Sequence, residues 1–327
     1  MSAAPRARVQ RRPVHGVLLL DKPLGLTSNQ ALQKARWLLR AEKAGHTGTL
    51  DPLASGVLPL CFGAATKFSA LHLDADKSYE ATLRLGERTS TGDAEGSVIS
   101  RRPVPAISAE QLEAVRQRFL GRIQQTPPMH SALKKDGKPL YEYARAGVQV
   151  ERAARDVEIY ELNIALAGED CGYPALKMQV KCSKGTYIRT LGEDIGEALG
   201  CGGHLTALRR TVTGGFTAAN CITLDALEGM DDAARLRALL PVQTLLHGFE
   251  TITLGSEDAG RFLSGQRRRG NWADTESAVV FGSQPHALLG TARVKAGELI
   301  AERLLTPIEI GQILEQHSLA EKVSDKE

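Results

Sequence analysis

The hydrophobic positions of the chain follow two periods, and the changes from one to the other mark out its elements. Gly16-Val17-Leu18-Leu19-Leu20 is an uninterrupted apolar run and predicts a buried strand, ended by a turn at Asp21-Lys22-Pro23-Leu24-Gly25. Thr27 with Gln30 forms a capping-box pattern, and Ala31, Leu32, Ala35, Leu38 and Leu39 share one helical face, so a helix is expected to about Glu42. Val57 to Cys61 predicts a short apolar strand and Thr66 to Leu73 a helix. Between Ser78 and Leu85 the period is two: Tyr79, Ala81, Leu83 and Leu85 face one way, and Glu80, Thr82 and Arg84 the other. Ser108 with Gln111 opens a second capped helix, to about Leu120.

The same alternation returns at Leu176, Met178, Val180 and Cys182, against Lys177, Gln179 and Lys181. Ser183-Lys184-Gly185 then turns the chain into a helix with Ile188, Leu191, Ile195 and Leu199 inward and Gly200 as its C-cap. His204 to Thr211, with Leu208, is strand-like, and helical segments are expected near Asp231–Leu240. A boundary is expected near Gly248. Beyond it the pattern predicts a strand at Thr251–Leu254, a helix at Glu257–Leu263, a turn at Gly265–Gly270, and two or three strands around Ala278–Phe281 and Ala287–Leu305. Strands follow one another closely without strict βαβ alternation. The fold class expected is therefore α+β, a mixed or antiparallel sheet flanked by helices and loops, with a small mainly-β domain after it, and not a doubly wound nucleotide-binding fold.

Some stretches fit neither period. Residues 1–14 are polar and basic and read as a disordered arm, and the end of the chain from about Glu315 reads as a polar tail. Residues 87–97 read as a polar loop. Residues 124–156 are poor in core positions and hold a lysine-rich hairpin-like segment with a short helix near Leu140–Ala146, a pattern usual in functional or flexible segments. Residues 45–59 carry three glycines, with Pro52 directly after Asp51. Proline disfavours the α conformation before it, so Asp51 is expected on an extended turn anchored by Leu50, Leu53, Val57 and Leu58.

Composition narrows the classes. The 327 residues are 42% hydrophobic and 24% charged, as in ordinary globular proteins, and no apolar run approaches a membrane span. The Arg-rich start lacks the apolar stretch of a secretory signal. Five scattered cysteines without a C-x-x-C pair argue against a zinc site or a disulfide framework and fit a reducing cytoplasm. Net charge is only +3, but it is uneven: from Glu250 onward it is −3, and before that +6. Basic residues cluster at Arg6, Arg8, Arg11 and Arg12; at Lys134, Lys135 and Lys138; at Lys181 and Lys184; at Arg209 and Arg210; and at Arg267, Arg268 and Arg269. Each alone is an ordinary solvated face; together they allow a polyanionic partner.

Asp51 is the sharpest chemical candidate. By residue types alone a structural turn, with the carboxylate capping its own backbone, is the simpler reading. A nucleophile or acid-base role requires a cation and an aromatic platform. Arg189, in the first turn of a helix whose dipole opposes its charge, is a candidate cation, against the alternative of a surface arginine. Tyr79 is a candidate platform, against a core tyrosine; His46 could stack or donate, against a loop histidine satisfied by backbone. No phosphate-binding glycine motif, no H-E-x-x-H and no G-x-S-x-G is present, so nucleotide binding, a metal centre and a serine hydrolase are set aside.

Seven motifs then occur in a telling order: Gly-Val-Leu-Leu-Leu-Asp-Lys-Pro (16–23), Gly-His-Thr-Gly-Thr-Leu-Asp-Pro-Leu-Ala-Ser-Gly-Val-Leu-Pro (45–59), Ala-Thr-Lys-Phe (65–68), Asp-Lys-Ser-Tyr (76–79), Thr-Gly-Asp-Ala-Glu-Gly (91–96), Gln-Thr-Pro-Pro-Met-His-Ser-Ala-Leu-Lys (125–134) and Cys-Ser-Lys-Gly-Thr-Tyr-Ile-Arg-Thr-Leu (182–191). In this order they resemble the TruB family of bacterial tRNA pseudouridine synthases, over most of 15–247 and more weakly to about 315. The resemblance implies a pseudouridine-synthase-like sheet over 15–247, an RNA-gripping thumb at about 124–156, a PUA-like RNA-binding module at 248–315, and a tail at 316–327. It implies an isomerase without cofactor or metal that turns uridine-55 of the tRNA TΨC loop into pseudouridine. Asp51 matches the catalytic aspartate, which attacks the sugar or the base or assists glycal formation. Arg189 matches its partner, and Tyr79 the residue that stacks on the base and takes its C5 proton. His46 matches the residue that enters the vacated stack, Tyr187 and Leu208 further pocket residues, and Lys22 a supporting group. The basic clusters would hold phosphates. A monomeric, cytoplasmic enzyme acting on the T-arm with no membrane and no obligate protein partner is expected; a guide-RNA-dependent synthase and a tRNA-folding chaperone are the alternatives.

Overall fold

A computed structural model describes residues 10–324, so Arg6 and Arg8 of the expected arm lie outside the described residues. Its centre is a ten-stranded mixed sheet. From one edge to the other the strands are Ile222–Thr223, Gly16–Lys22, Ala54–Phe62, Gly203–Thr213, Lys77–Leu85, Tyr173–Cys182, Arg155–Asp170 and Gly121–Gln125, with Ala44–His46 and Phe216–Thr217 paired at the side. Ile222–Thr223 runs parallel to Gly16–Lys22, and Gly203–Thr213 parallel to Ala54–Phe62; the other pairings are antiparallel. The α+β reading with a mixed sheet therefore holds.

The alternating segments build the core as their period requires. Leu83 pairs with Leu176 and Ala81 with Met178, and all four are buried. Leu191 and Ile195, on the inner face of the Ile188–Ala198 helix, pack into the same cluster. Both capping boxes form, Thr27 with Gln30 ahead of the Ser28–Leu38 helix and Ser108 with Gln111 ahead of Ala109–Phe119.

Tertiary pairing overrides local pattern in several places. The first helix stops at Leu38, short of Glu42, because Arg40 takes a positive φ and residues 40–42 exchange backbone hydrogen bonds with Arg12. Residues 10–14 of the expected arm are thereby fixed: Arg12 forms a two-pronged pair with Asp232 at 2.9 and 3.1 Å, and Val14 is buried. The expected polar loop at 87–97 contains a strand, Glu87–Thr89, paired with Val98–Arg101. The expected helix at 66–73 is a 3-10 turn, Gly63–Lys67, followed by one short helix, Ser69–Leu73. The lysine-rich segment forms a small hairpin, Lys134–Lys135 against Lys138–Pro139, with a helix at Leu140–Arg145.

Beyond residue 248 a five-stranded sheet runs in the order Glu250–Leu254, Thr275–Ser283, His286–Lys295, Glu298–Leu304, Arg268–Arg269. Phe262 of the Ser256–Leu263 helix closes its core. The last helix, Pro307–Ser324, continues through the expected tail. From it Gln316 accepts from the His15 amide at 2.9 Å and donates to the His15 carbonyl at 2.7 Å. Lys67 pairs with Glu309 at 2.6 Å. An apolar seam of Val17, Leu19, Cys61 and Phe68 with Val279, Leu288 and Leu305 joins the two sheets. Truncation after Gly248 strips one side of this seam. At about 1.5–3 kcal/mol per exposed large apolar side chain, the unfolding midpoint is expected to fall by on the order of 10 °C. Scanning calorimetry of the truncated and full chains checks this, and an unchanged midpoint would show the seam to contribute nothing.

Candidate active site

The turn that carries Asp51 is held from several sides. Ser28, the first residue of its helix, receives the Leu50 amide on its hydroxyl at 2.7 Å and donates to the Leu50 carbonyl at 3.0 Å. The Gly25 amide donates to the Pro52 carbonyl, and the Thr47 amide to that of Pro59. Leu50 is buried and Gly48 takes φ +97°, a conformation that suits glycine. The Asp51 carboxylate goes to Arg189, with Oδ2 3.0 Å from Nε, and not to the turn's own backbone. Its side chain keeps 38% exposure while that of Arg189 keeps 7%, so the pair offers its acid and hides its cation.

Arg189 gathers four segments. Nη1 donates to the Thr91 carbonyl at 2.9 Å and stands 3.5 Å from the Asp93 carboxylate; Nη2 donates to the His130 carbonyl at 2.7 Å. The motifs at 45–59, 91–96, 125–134 and 182–191 thus meet at one guanidinium. A buried cation needs such compensation, and two carboxylates with two carbonyls supply it. They also answer the charge placed unfavourably at a helix start. Asp93 is fixed in turn by the Thr91 hydroxyl at 2.5 Å and the Glu95 amide at 3.1 Å.

The electrostatics follow from this crowding. Burial pushes the Asp51 carboxyl above its ordinary range; Arg189 pulls it down, Asp93 pushes it up again, and Lys22 pulls it down. Lys22 is fully buried at the end of its strand and donates to the carbonyls of Pro23 at 2.8 Å and Leu26 at 2.6 Å. Burial brings its ammonium down to about 8, against the opposing pull of Asp51 and Glu95. Lys22 therefore ties the 22–26 turn and lends charge to the Asp51 neighbourhood without a direct ion pair.

The aromatic candidates line the same region. Tyr79 lies on Lys77–Leu85 in register with Val180 on one side and Arg210 on the other. Burial raises its phenol, with Arg210 acting against that rise and Asp51 adding to it. Tyr187 caps the Ile188–Ala198 helix, and its backbone is gripped by buried Gln125, which accepts its amide at 3.0 Å and donates to its carbonyl at 3.3 Å. Burial raises its phenol too, opposed by the Ser131 hydroxyl. Leu208 is buried on Gly203–Thr213, opposite Ala54 and Ala81. His46 ends the short strand Ala44–His46, opposite Leu60. Its Nδ1 is buried with no hydrogen-bond partner, and burial, then Arg210, lowers its pKa.

Residue type and spacing alone do not mark Ser28, Asp93, Gln125 or Arg210 as site residues. Asp93 and Gln125 carry a signal only as members of the motifs at 91–96 and 125–134. Adjacent Arg209 and Arg210 read as one basic cluster, yet neighbours in a strand face opposite sides. Arg209 reaches Asp21 at 2.9 and 2.7 Å, and Arg210 turns inward. The remaining clusters also differ from bare cationic patches. Lys181 pairs with Glu161 and Lys184 with Asp74. Arg267 and Arg269 share Glu298, and Arg268 pairs with Asp258. Lys134 and Lys135 stay exposed on the hairpin, and Lys138 approaches Glu142 only at 3.9 Å.

Three kinds of comparison bear on this site. The model of the TruB family pseudouridylate synthase N-terminal domain matches residues 36–188, and that of the tRNA pseudouridylate synthase B C-terminal domain matches 189–247. The tRNA pseudouridine synthase B of Verminephrobacter eiseniae is 61% identical over 316 residues, 96% of each chain. That of Cupriavidus pinatubonensis is 58% identical over 308 residues, 91% of this chain and 96% of the relative. Among solved structures, a chain of a Cbf5-Nop10-Gar1 complex superposes with a TM-score of 0.66 at 23% identity, covering 94% of this chain and 92% of its own, a likeness of fold. With both family domains matched in sequence and such identity over nearly the whole length, the chain belongs to the TruB family of pseudouridylate synthases.

Proposed function

We propose that this enzyme converts uridine-55 in the TΨC loop of tRNA to pseudouridine. The observation that carries the reading is the Asp51–Arg189 pair, with an accessible acid on a buried cation that four family motifs hold in place. A stacked uridine must first leave the loop, at a cost of roughly a few kcal/mol. His46 fills the vacated stack. Asp51 opens the reaction at the glycosidic bond, Arg189 keeps it ionised and aimed, and Tyr79 stacks on the freed base and takes its C5 proton. Tyr187 and Leu208 wall the pocket, and Lys22 supports its floor. The chemistry calls on no metal or cofactor.

Residues 124–156 act as the thumb that grips the T-arm, and the module from 248 to 315 is a PUA-like contact to RNA. Exposed lysines of the hairpin supply phosphate contacts. Replacing Lys134, Lys135 and Lys138 by Ala is expected to weaken tRNA binding about tenfold and to flatten the salt dependence by up to roughly three in slope. Filter binding across a salt series reads both, and an unchanged slope would remove the hairpin from the interface. The enzyme works as a cytoplasmic monomer.

Incubation of unmodified tRNA with the protein alone, followed by pseudouridine mapping, tests the whole reading. A single modified position at 55 is expected. A requirement for added guide RNA would favour a second reading, a guide-RNA-dependent synthase. Folding of tRNA without product would favour a chaperone.

A further inference from the structure

Arg210 is the largest fully buried side chain of the described residues, at 1% exposure, and no carboxylate lies within ion-pair distance of it among them. Nε donates to the Val57 carbonyl at 2.8 Å, while Nη2 is buried without any partner. The guanidinium sits beneath the Asp51 turn: a Cβ on Gly48 would stand 3.6 Å from Nη1. Its field disfavours the charged forms of Lys22, His46, His72 and Lys77 and favours those of Tyr79 and Cys221. A buried cation with an unused donor and no acid calls for an explanation.

The register supplies one. Arg210 is the direct cross-strand partner of Tyr79, so their side chains share one face of the sheet at neighbouring positions. The pairing of Gly203–Thr213 with Lys77–Leu85 slips between Leu205 and Ala207 and again between Arg210 and Val212. Irregularities of this kind re-aim side chains beside active sites. Here they flank Leu208 and Arg210. Backbone closeness holds the arrangement, since a Cβ on Gly56, the other register partner of Arg210, would lie 2.1 Å from the Arg210 carbonyl oxygen.

We propose that Arg210 is a positioning residue of the isomerisation, using its unpartnered guanidinium nitrogen to orient the Tyr79 hydroxyl and to stabilise negative charge on that oxygen. This rests on the reading of Tyr79 given above. After C1′ has bonded to C5, the C5–H bond breaks. Its electron pair forms the C5–C6 double bond, the C6–N1 π pair moves to N1, and N1 takes a proton from solvent. The C5 proton goes to the Tyr79 oxygen, which has released its own to solvent. One proton leaves C5, one reaches N1, and nothing is oxidised or reduced. The charged and titratable groups that bear on the phenol are Arg210 from one flanking strand, Cys182 from the other and Asp51 from the turn. Arg210 opposes the upward push of burial on the phenol.

The test is single turnover on tRNA carrying uridine or 5-deuterouridine, across pH, with wild-type protein, Arg210→Gln and Arg210→Lys. Arg210→Gln is expected to slow turnover by about 10- to 100-fold with little change in tRNA affinity. Its deuterium effect is expected to exceed the wild-type value, and its rate to keep rising to higher pH. Arg210→Lys is expected to restore part of the rate. Isotope effects are ratios and do not depend on how much of a variant is folded. Isotope effect and pH dependence both matching wild type in Arg210→Gln would overturn the proposal, as would failure of both variants to fold. Wild-type protein that makes no pseudouridine would instead sink the underlying reading.

Discussion

Asp51→Asn is expected to lower pseudouridine formation by about four orders of magnitude or more while tRNA binding persists. The amide nearly preserves the shape of the carboxylate, so the anchors at Ser28, Gly25 and Leu50 stay in place. What is lost is the charge beside Arg189 and the ability to attack or to accept a proton. Asp93 remains at 3.5 Å to neutralise the buried guanidinium, which is why the variant is expected to fold. The measurement is a single-turnover rate beside an equilibrium binding constant. Appreciable turnover by Asp51→Asn would remove the aspartate from the chemistry.

Arg189→Ala is expected to cost about three orders of magnitude in turnover, with a much smaller loss of affinity. Two effects combine. The carbonyls of Thr91 and His130 lose their donor, so the loops that meet at the site loosen. Asp51 also loses the strongest influence holding its carboxyl down, leaving burial and Asp93 to push it up. The sign is fixed: with a carboxyl already above its ordinary range, the reactive anion is lost as pH falls through that raised value. Removing the cation raises it further, so the acid limb of the pH–rate profile is expected to move to higher pH in the residual activity. A limb that stays put, or moves down, would refute the pairing. Arg189→Lys is expected to rescue poorly, because one ammonium cannot reach Asp51, Asp93 and two carbonyls from the positions of a planar fork.

Much of the catalytic sheet was legible wherever a strand buries one face. Alternation at Tyr79–Leu85 and Leu176–Cys182 marked two strands, which the structure pairs at the centre of the sheet, and both capping boxes marked real helix starts. Arg155–Asp170 was not legible, because the alternation of Val157 and Ile159 is offset from that of Leu162, Ile164 and Leu166 by an irregularity after Ile159, and much of the strand is exposed. Glu87–Thr89 was hidden by polar composition, although both residues are buried, Glu87 accepting from Arg101 and Thr89 donating to the Asp93 carbonyl. At the site, Asp51 and Arg189 stood out only through the order of their motifs, since 138 positions separate them and no local pattern joins them. Gln125 grips the Tyr187 backbone and Asp93 faces Arg189, groups brought in by the fold that residue types alone do not announce. Arg210 could have been found by asking which of two adjacent arginines a strand must turn inward.

The grip of Gln316 on His15 joins the two ends of the described chain. Val17 and Leu19 belong to the first strand made, yet the residues that cover them, from Val242 to Leu305, are among the last. Until those arrive, one face of the nascent sheet is wet and adhesive. The chain therefore covers that face of its first strand only after almost all of it has been synthesised, and a stall late in translation leaves the apolar face open to chaperones or to a second copy.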